Sequence, residues 1–183
     1  MADLEFVQTQ AQDDSGVARL VALQRGAVEV GIVCPMANEG DKAVAFCQAV
    51  LEQCSGFRKV TFFAVFDRVT KDESLDLMRA LERSEPRLRV VWAPDNRCVV
   101  DAYLRGYKVA LDAGCDWILE IDAGFSHQPS DIPQFFSAME QGMDCVFGSR
   151  FIGRFEKARS RAALSVGAEP RWRTCCWARG RRT

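Results

Sequence analysis

The sequence predicts an α/β protein built on a mostly parallel sheet with helices on both faces. Short segments rich in β-branched and aromatic residues alternate along the chain with longer segments whose apolar residues recur every three or four positions. This alternation is typical of a parallel sheet, because parallel neighbours need a crossover between them that is usually a helix. The predicted strands are residues 28–33, 60–66, 88–92, 117–121 and 145–147.

Helices are predicted in the segments between these strands. Asn, Asp, Ser and Pro stand where most of them would begin, and these residues favour helix N-termini because their side chains or their fixed φ suit the first turn. The predicted helices begin near Asn38, at Asp72 or Ser74, near Val99 and at Asp131.

Composition and charge exclude several classes of protein. Of the 183 residues, 48% are hydrophobic and 27% are charged, which is typical of a globular protein. The longest apolar runs have the length of a strand and cannot cross a bilayer. The formal net charge of -1 indicates no nucleic-acid partner. The eight cysteines lack the paired spacing of a zinc site, so we expect reduced thiols in a cytoplasmic protein.

The sequence pattern divides the chain into three parts. Residues 1–25 are predicted to be a solvated leader, because they lack the basic end and the apolar centre of a signal peptide. Residues 26–167 carry the strand–helix alternation and form the predicted domain. Residues 168–183 are strongly basic, have neither strand nor helix periodicity, and are predicted to be disordered.

Polar residues follow the predicted strands at the ends where ligands bind. In an open parallel sheet, ligands bind outside the carboxyl ends of the strands. Residues from several strands would therefore meet at one edge of the sheet, which indicates a binding site there. The candidate site residues are Pro35, Asn38, Glu39, Asp67, Asn96, Asp122 and Arg150.

Three segments carry a family resemblance. Residues 33–39 read V-C-P-M-A-N-E, residues 67–74 read D-R-V-T-K-D-E-S, and residues 119–129 read L-E-I-D-A-G-F-S-H-Q-P. In this order they resemble the V-P-x-x-N-E, D-D-G-S-T-D-G-T and L-D-A-D-x-x-H-P segments of family-2 glycosyltransferases, the group that includes dolichyl-phosphate mannose synthases. Asn96, Ala102 and Gly106, between the second and third segments, and Gly148-Ser149-Arg150, after the third, fit the same family order.

The resemblance implies a nucleotide-diphospho-sugar transferase fold (the A-type glycosyltransferase fold), incomplete at the C-terminus. It also implies transfer of a sugar, with inversion, from a UDP- or GDP-sugar to a polyprenyl phosphate or a glycan hydroxyl. Peripheral association with the inner face of the membrane would follow from a lipid acceptor. Glu39 and Asp67 would accept hydrogen bonds from the base and the ribose. Asp122 would be the catalytic residue and would hold Mg²⁺ or Mn²⁺ against the diphosphate, while Arg150 would bind phosphate oxygens.

The chain also departs from the family pattern. Gly124 stands where the family has a second aspartate on the metal side. A metal would then rest on Asp122, with Ser126 or His127 nearby. His127 is the one histidine in the sequence, and it lies where the family often has a histidine.

The tail at 168–183 indicates a change of reading frame. In the frame that begins at the third base of each codon, the codons of Cys175, Cys176 and Trp177 read Leu-Leu-Gly. The neighbouring codons allow an apolar helix in that frame. The family has such a segment at this point, so we expect a frameshift near Gly167. On this interpretation the chain is a truncated transferase.

Other functions stay open at this stage. Gly124 and the tail favour an inactive fragment or a non-catalytic nucleotide-binding module. A nucleotidyltransferase is disfavoured, because such enzymes usually have a Gly-rich loop after the first strand. Among single residues, Asn38 can be a helix cap, Asp67 a strand-end turn residue and Arg150 a solvated surface residue.

Overall fold

One seven-stranded sheet organises the part of the chain that the computed structural model describes: residues 24–141, 143 and 145–148, with residues 6–8 and 176–179 described by their backbone. The strands are β1 (Phe6–Gln8), β2 (Glu29–Pro35), β3 (Lys59–Phe66), β4 (Leu88–Trp92), β5 (Trp117–Glu120), β6 (Cys145–Gly148) and β7 (Cys176–Arg179). Their order across the sheet is β1-β6-β7-β5-β2-β3-β4.

The centre of the sheet is parallel. β2 pairs in parallel with β3 on one side and with β5 on the other, and β3 pairs in parallel with β4. The register of β2 on β3 runs from Glu29 opposite Lys59 to Pro35 opposite Val65. The predicted parallel α/β fold is therefore confirmed, and the bounds of these four strands differ from the predicted ones by at most two residues.

Helices cover both faces of the sheet, as predicted. The helices are α1 (Lys42–Glu52), α2 (Ser74–Glu82), α3 (Val99–Asp112) and α4 (Ile132–Glu140). Helices α1, α2 and α4 pack with Phe62 in one large buried cluster, whereas α3 packs with Phe63 on the opposite face of the sheet. Successive side chains of a strand point to opposite faces, which is why neighbours in β3 belong to different clusters. Within the described residues, no helix is both long and apolar enough to cross a membrane.

Small residues bring α3 close to the sheet. A Cβ on Gly106 would lie only 2.2 Å from Cγ1 of Val33 in β2. A Cβ on Gly31 would lie 3.0 Å from the Cβ of Ala110. Ala102 is buried on the same side of α3. The backbones of α3 and β2 therefore approach more closely than larger side chains would allow.

Two short strands lie where the sequence pattern predicted none. β1 falls in the predicted leader and pairs antiparallel with β6, and β7 falls in the predicted disordered tail and pairs antiparallel with β5 and β6. At these residues the structure differs from both predictions. The reason is that the unpaired N–H and C=O groups of a sheet edge can pair with an extended segment whatever its own pattern. The rest of the leader and tail lies outside the described residues, where both predictions remain predictions.

Candidate functional site

The predicted site lies at the carboxyl edge of the parallel strands. Asp67 follows β3 and Asp122 follows the end of β5, and β2 lies between these two strands. Since neighbouring strands are about 4.8 Å apart, the backbones of the two aspartates are separated by about 10 Å along this edge. The structure thus brings Asp67 and Asp122 to the same edge, as the sequence predicted.

Asn38 joins the loop after β2 to the loop after β3. Its Oδ1 accepts the backbone N–H of Lys71 at 2.7 Å and that of Asp72 at 3.3 Å, and its Nδ2 donates to the carbonyl of Val69 at 3.2 Å. Both ends of the amide are therefore engaged in holding the two loops together. Direct contact of Asn38 with a nucleotide stays a prediction, and the geometry favours a positioning role.

Ser74 fixes the backbone beside Glu39. Its Oγ accepts the N–H of Glu39 at 2.8 Å and the N–H of Gly40 at 2.7 Å, and Ser74 is fully buried. Asp72 accepts the N–H groups of Gly40 and Ser74. Hydrogen bonding from Ser74 lowers the pKa of Asp72 from its usual value. The sequence indicated Asp72 or Ser74 as the helix cap, whereas Glu73 occupies the cap position in the structure, without a side-chain cap hydrogen bond. The role of Asp72 and Ser74 in holding the Glu39 loop was missed.

The Glu39 side chain extends towards the loop after β5. A Cβ on Gly124 would lie 2.7 Å from Oε2 of Glu39, and Gly124 has a φ of +75°. Glycine adopts such a φ without steric cost. Burial first, and then the charge of Asp72, raise the pKa of Glu39, while Lys42 acts in the opposite direction. The Glu39 carboxylate thus lies where a side chain at position 124 would begin.

Two tyrosines of α3 bind carboxylates at the end of β5. The hydroxyl of Tyr103 donates to Oδ1 of Asp122, and the hydroxyl of Tyr107 donates to Oε2 of Glu120. Burial, followed by this hydrogen bond to Asp122, raises the pKa of Tyr103 well above its usual value. Sequence analysis missed both contacts. The available signal was the four-residue spacing of the tyrosines, which puts them on one side of a helix.

His127 holds the Asp122 loop from within the protein. Its ring is 2% exposed, and Nδ1 accepts the backbone N–H of Asp122 at 2.8 Å. That hydrogen bond uses the Nδ1 lone pair and puts the proton of a neutral ring on Nε2, which lies 3.8 Å from Oδ2 of Asp122. Metal ligation by His127 therefore stays a prediction that this geometry does not favour.

The remaining predicted residues take different positions. Oδ1 of Asp67 accepts the N–H of Val69 at 2.8 Å, which is the geometry of a turn residue. Asn96 has a buried Nδ2 with no hydrogen-bond partner among the described residues. Pro35 ends β2. Arg150 lies outside the described residues.

A buried thiol lies close to both loop carboxylates. Cys34, the penultimate residue of β2, is fully buried. Burial, then the charges of Asp122, Cys47 and Glu39, raise the pKa of this thiol well above its usual value. Asp122 and Glu39, from two different loops, therefore both act on this buried thiol.

Comparison with known protein families identifies the family of this chain. The model of the family described as glycosyl transferase family 2 matches residues 31–180. This chain belongs to glycosyl transferase family 2. The match includes every predicted site residue and extends over most of the tail.

Three relatives of known name are similar to the family-2 chain. An undecaprenyl-phosphate mannosyltransferase from Micrococcus luteus is 30% identical over 88 residues, which cover 48% of this chain and 36% of the relative. A dolichol-phosphate mannosyltransferase from Pyrococcus furiosus is 24% identical over 148 residues, which cover 76% of this chain and 40% of the relative. A polyprenol monophosphomannose synthase from Mycolicibacterium smegmatis is 25% identical over 122 residues, which cover 66% of this chain and 44% of the relative. The chain thus spans less than half the length of each relative.

The residues of this family-2 site fit a divalent cation that shares its ligands with a substrate. Among the described residues, no three His, Cys, Asp or Glu side chains are grouped so that they could hold a metal by themselves. Asp122 and Glu39 provide carboxylate oxygens on adjoining loops, and Mg²⁺ in proteins is often held by one or two carboxylates together with substrate phosphates. The absence of a Cβ at Gly124 leaves the space in which the Glu39 oxygen lies.

Proposed function

We propose that this chain binds a nucleoside diphosphate-mannose and transfers mannose, with inversion, to a polyprenyl phosphate. The observation that carries the proposal is the Asp122 carboxylate, which Tyr103 and the His127-bound loop hold at the carboxyl end of β5 in a family-2 chain. The names of the three relatives specify mannose, and they specify undecaprenyl phosphate, dolichol phosphate or a polyprenol as its carrier.

The donor would lie along the edge between β3 and β5. Asp67 is about 10 Å from Asp122 at the backbone, so one carboxylate can contact the base or ribose while the other lies near the diphosphate. The buried Nδ2 of Asn96 would donate to an oxygen of the donor. Arg150 would bind phosphate oxygens, since a guanidinium makes bidentate contacts with them.

The chemistry is a single displacement. A phosphate oxygen of the acceptor attacks the anomeric carbon from the side opposite the nucleotide and forms the new C–O bond. The bond from the anomeric carbon to the diphosphate oxygen breaks, and its electron pair leaves on the diphosphate. The polyprenyl phosphate arrives as an anion and therefore needs no general base, whereas a glycan hydroxyl would need one. A bound divalent cation would offset the charge that develops on the leaving diphosphate. Asp122 would orient the diphosphate end of the donor, and a lipid acceptor would require the chain to work at the cytoplasmic face of a membrane.

Isothermal titration of GDP and UDP, with and without Mn²⁺, tests the donor site. We expect Asp122→Asn to lose the Mn²⁺-dependent part of nucleotide binding, because its carboxylate would be shared between cation and diphosphate. Asp67→Asn should weaken binding with and without Mn²⁺. Asp76→Asn, an exposed carboxylate in the first turn of α2, is the matched control and should bind like the wild type. Equal affinities for wild type and Asp122→Asn would remove Asp122 from the site.

A nucleotide-binding module without transferase activity is the second candidate. Gly124, at a position where the family resemblance implies an acidic residue, favours it. Transfer of radiolabelled mannose from its GDP and UDP donors to a polyprenyl phosphate in detergent separates the two candidates. Tight nucleotide binding without any labelled lipid would support the second.

A further inference from the structure

We infer that Glu39 provides the second carboxylate of the divalent-cation site in this chain, in the space that Gly124 leaves open. This inference rests on the proposed nucleotide-sugar site and assigns Glu39 a role other than the base or ribose contact implied by the family resemblance. It also accounts for the loss of an acidic side chain two residues after Asp122.

The contact between Glu39 and Gly124 is the geometric basis. Oε2 of Glu39 would be 2.7 Å from a Cβ on Gly124, and the carboxyl carbon 3.7 Å from it. Real Cβ atoms do not have neighbours this close, so the Glu39 carboxylate lies against Gly124 in space that a side chain at residue 124 would need. A glutamate from the loop after β2 thereby places an oxygen beside the loop that carries Asp122.

The backbone of Glu39 is held in place for this task. Its N–H donates to the buried Ser74 Oγ, and the next N–H, that of Gly40, donates to both Ser74 and Asp72. A ligand on a fixed backbone needs only its side-chain torsions to be ordered when a cation binds, and that lowers the entropy cost of coordination.

The local charge also favours a cation. The charge of Asp72 acts on Glu39, and Lys42 acts on it in the opposite direction. A divalent ion bound by Glu39 would offset the charge of Asp72 and take the hard oxygen ligands that Mg²⁺ and Mn²⁺ prefer.

Binding of Mn²⁺ to the 183-residue chain, measured with and without GDP by electron paramagnetic resonance of the free ion and corrected for Mn²⁺ bound by GDP alone, tests the inference without an activity assay. Removing even an outer partner of a metal ligand weakens metal binding about 10–100-fold, so we expect Glu39→Gln to weaken Mn²⁺ binding by at least about tenfold. Glu39→Asp keeps the charge but shortens the side chain, and it should weaken binding as well. Glu73→Gln, an exposed glutamate one residue before α2, is the matched control and should stay within about twofold of the wild type.

A compensating pair makes the assignment specific. Gly124→Asp places a carboxylate on the Asp122 loop itself, and aspartate tolerates a positive φ better than most residues. The pair Glu39→Ala/Gly124→Asp removes the side chain that the added Cβ would meet, and it should regain most of the Mn²⁺ affinity that Glu39→Ala alone loses. Circular dichroism confirms that each variant is folded, and Glu39→Asp provides the test if Glu39→Gln is not.

Several results would overturn the inference. They are wild-type affinity in both Glu39 variants, no recovery in the double variant, and no Mn²⁺ binding by the wild type. The proposed function would survive any of these if nucleotide binds without metal and mannose is transferred. Conversely, Glu39-dependent Mn²⁺ binding in a chain that binds neither GDP nor UDP would support the cation site and refute the proposed function.

Discussion

The two faces of the sheet differ in what they contribute. On the face covered by α1, α2 and α4, one continuous buried cluster contains most of the large aromatic side chains. On the other face α3 is the one helix among the described residues, lying over smaller clusters, and its outer side exposes Val99, Val100, Leu104 and Leu111. The α3 face, however, carries the two tyrosines that bind Asp122 and Glu120. We therefore expect the first face to contribute more of the stability, whereas the second connects a helix to the site.

Neighbouring phenylalanines of β3 give the largest expected effect and test this difference directly. Phe62 and Phe63 are both buried, the first in the large cluster and the second under α3. We expect Phe62→Ala to lower the free energy of unfolding by about 3–5 kcal/mol. Phe63→Ala should cost at least about 1 kcal/mol less, because a single helix can shift towards the cavity and the cost depends on such collapse. Urea denaturation measures both. An equal or larger loss for Phe63→Ala would show that the faces are energetically equivalent.

An added methyl group at the α3 contact should have an intermediate effect. Gly106→Ala introduces a Cβ 2.2 Å from Val33 Cγ1, and overpacking of this kind costs about 1–3 kcal/mol. Val33→Ala removes the opposing atom. The double variant should therefore lose less free energy of unfolding than the two single variants lose together, by about 0.5–3 kcal/mol in denaturation experiments. Gly26→Ala, where an added Cβ meets nothing within 4 Å, is the control. Strict additivity at 106 and 33 would contradict the close packing of α3.

Polar substitutions on the outer side of α3 should change stability least. We replace Val100, Leu104 and Leu111 together by serine. Each substitution should change the free energy of unfolding by no more than about 0.5 kcal/mol. The same variant should associate less, because exposed apolar patches promote association. Dynamic light scattering against concentration measures this change. A large loss of stability would mean that these side chains are buried in the protein as it exists in solution.

The sequence was sufficient for the fold because its signals are local. The continuous apolar run of β3 and the helical spacing of α3 depend on neighbours within one element, and the bounds of β3 were predicted to within one residue. The positions of Asp67 and Asp122 followed from the rule that ligands bind at the carboxyl ends of parallel strands.

Contacts between distant elements could not be read in the same way. Tyr103 is an example, since nothing in its own helix indicates that Asp122 lies opposite. The proximity of Glu39 to Gly124 depends on a missing Cβ in another loop, and a pattern of residue types does not contain that distance. β1 and β7 depend on the edges of other strands, so their own sequences were not sufficient to predict them.

The tyrosine pair also determines how far α3 can slide along the sheet. Tyr103 binds Asp122. Tyr107, one helical turn after Tyr103, binds Glu120, which precedes Asp122 by two residues. Four residues of helix rise about 6 Å and two residues of strand about 6.6 Å, so both hydroxyls meet their carboxylates in one register. A slip of one turn in either direction would bring Leu111 opposite Glu120 or Val99 opposite Asp122, and one carboxylate would lose its donor. The axial position of the helix is thus set by two phenol groups at the end of the strand.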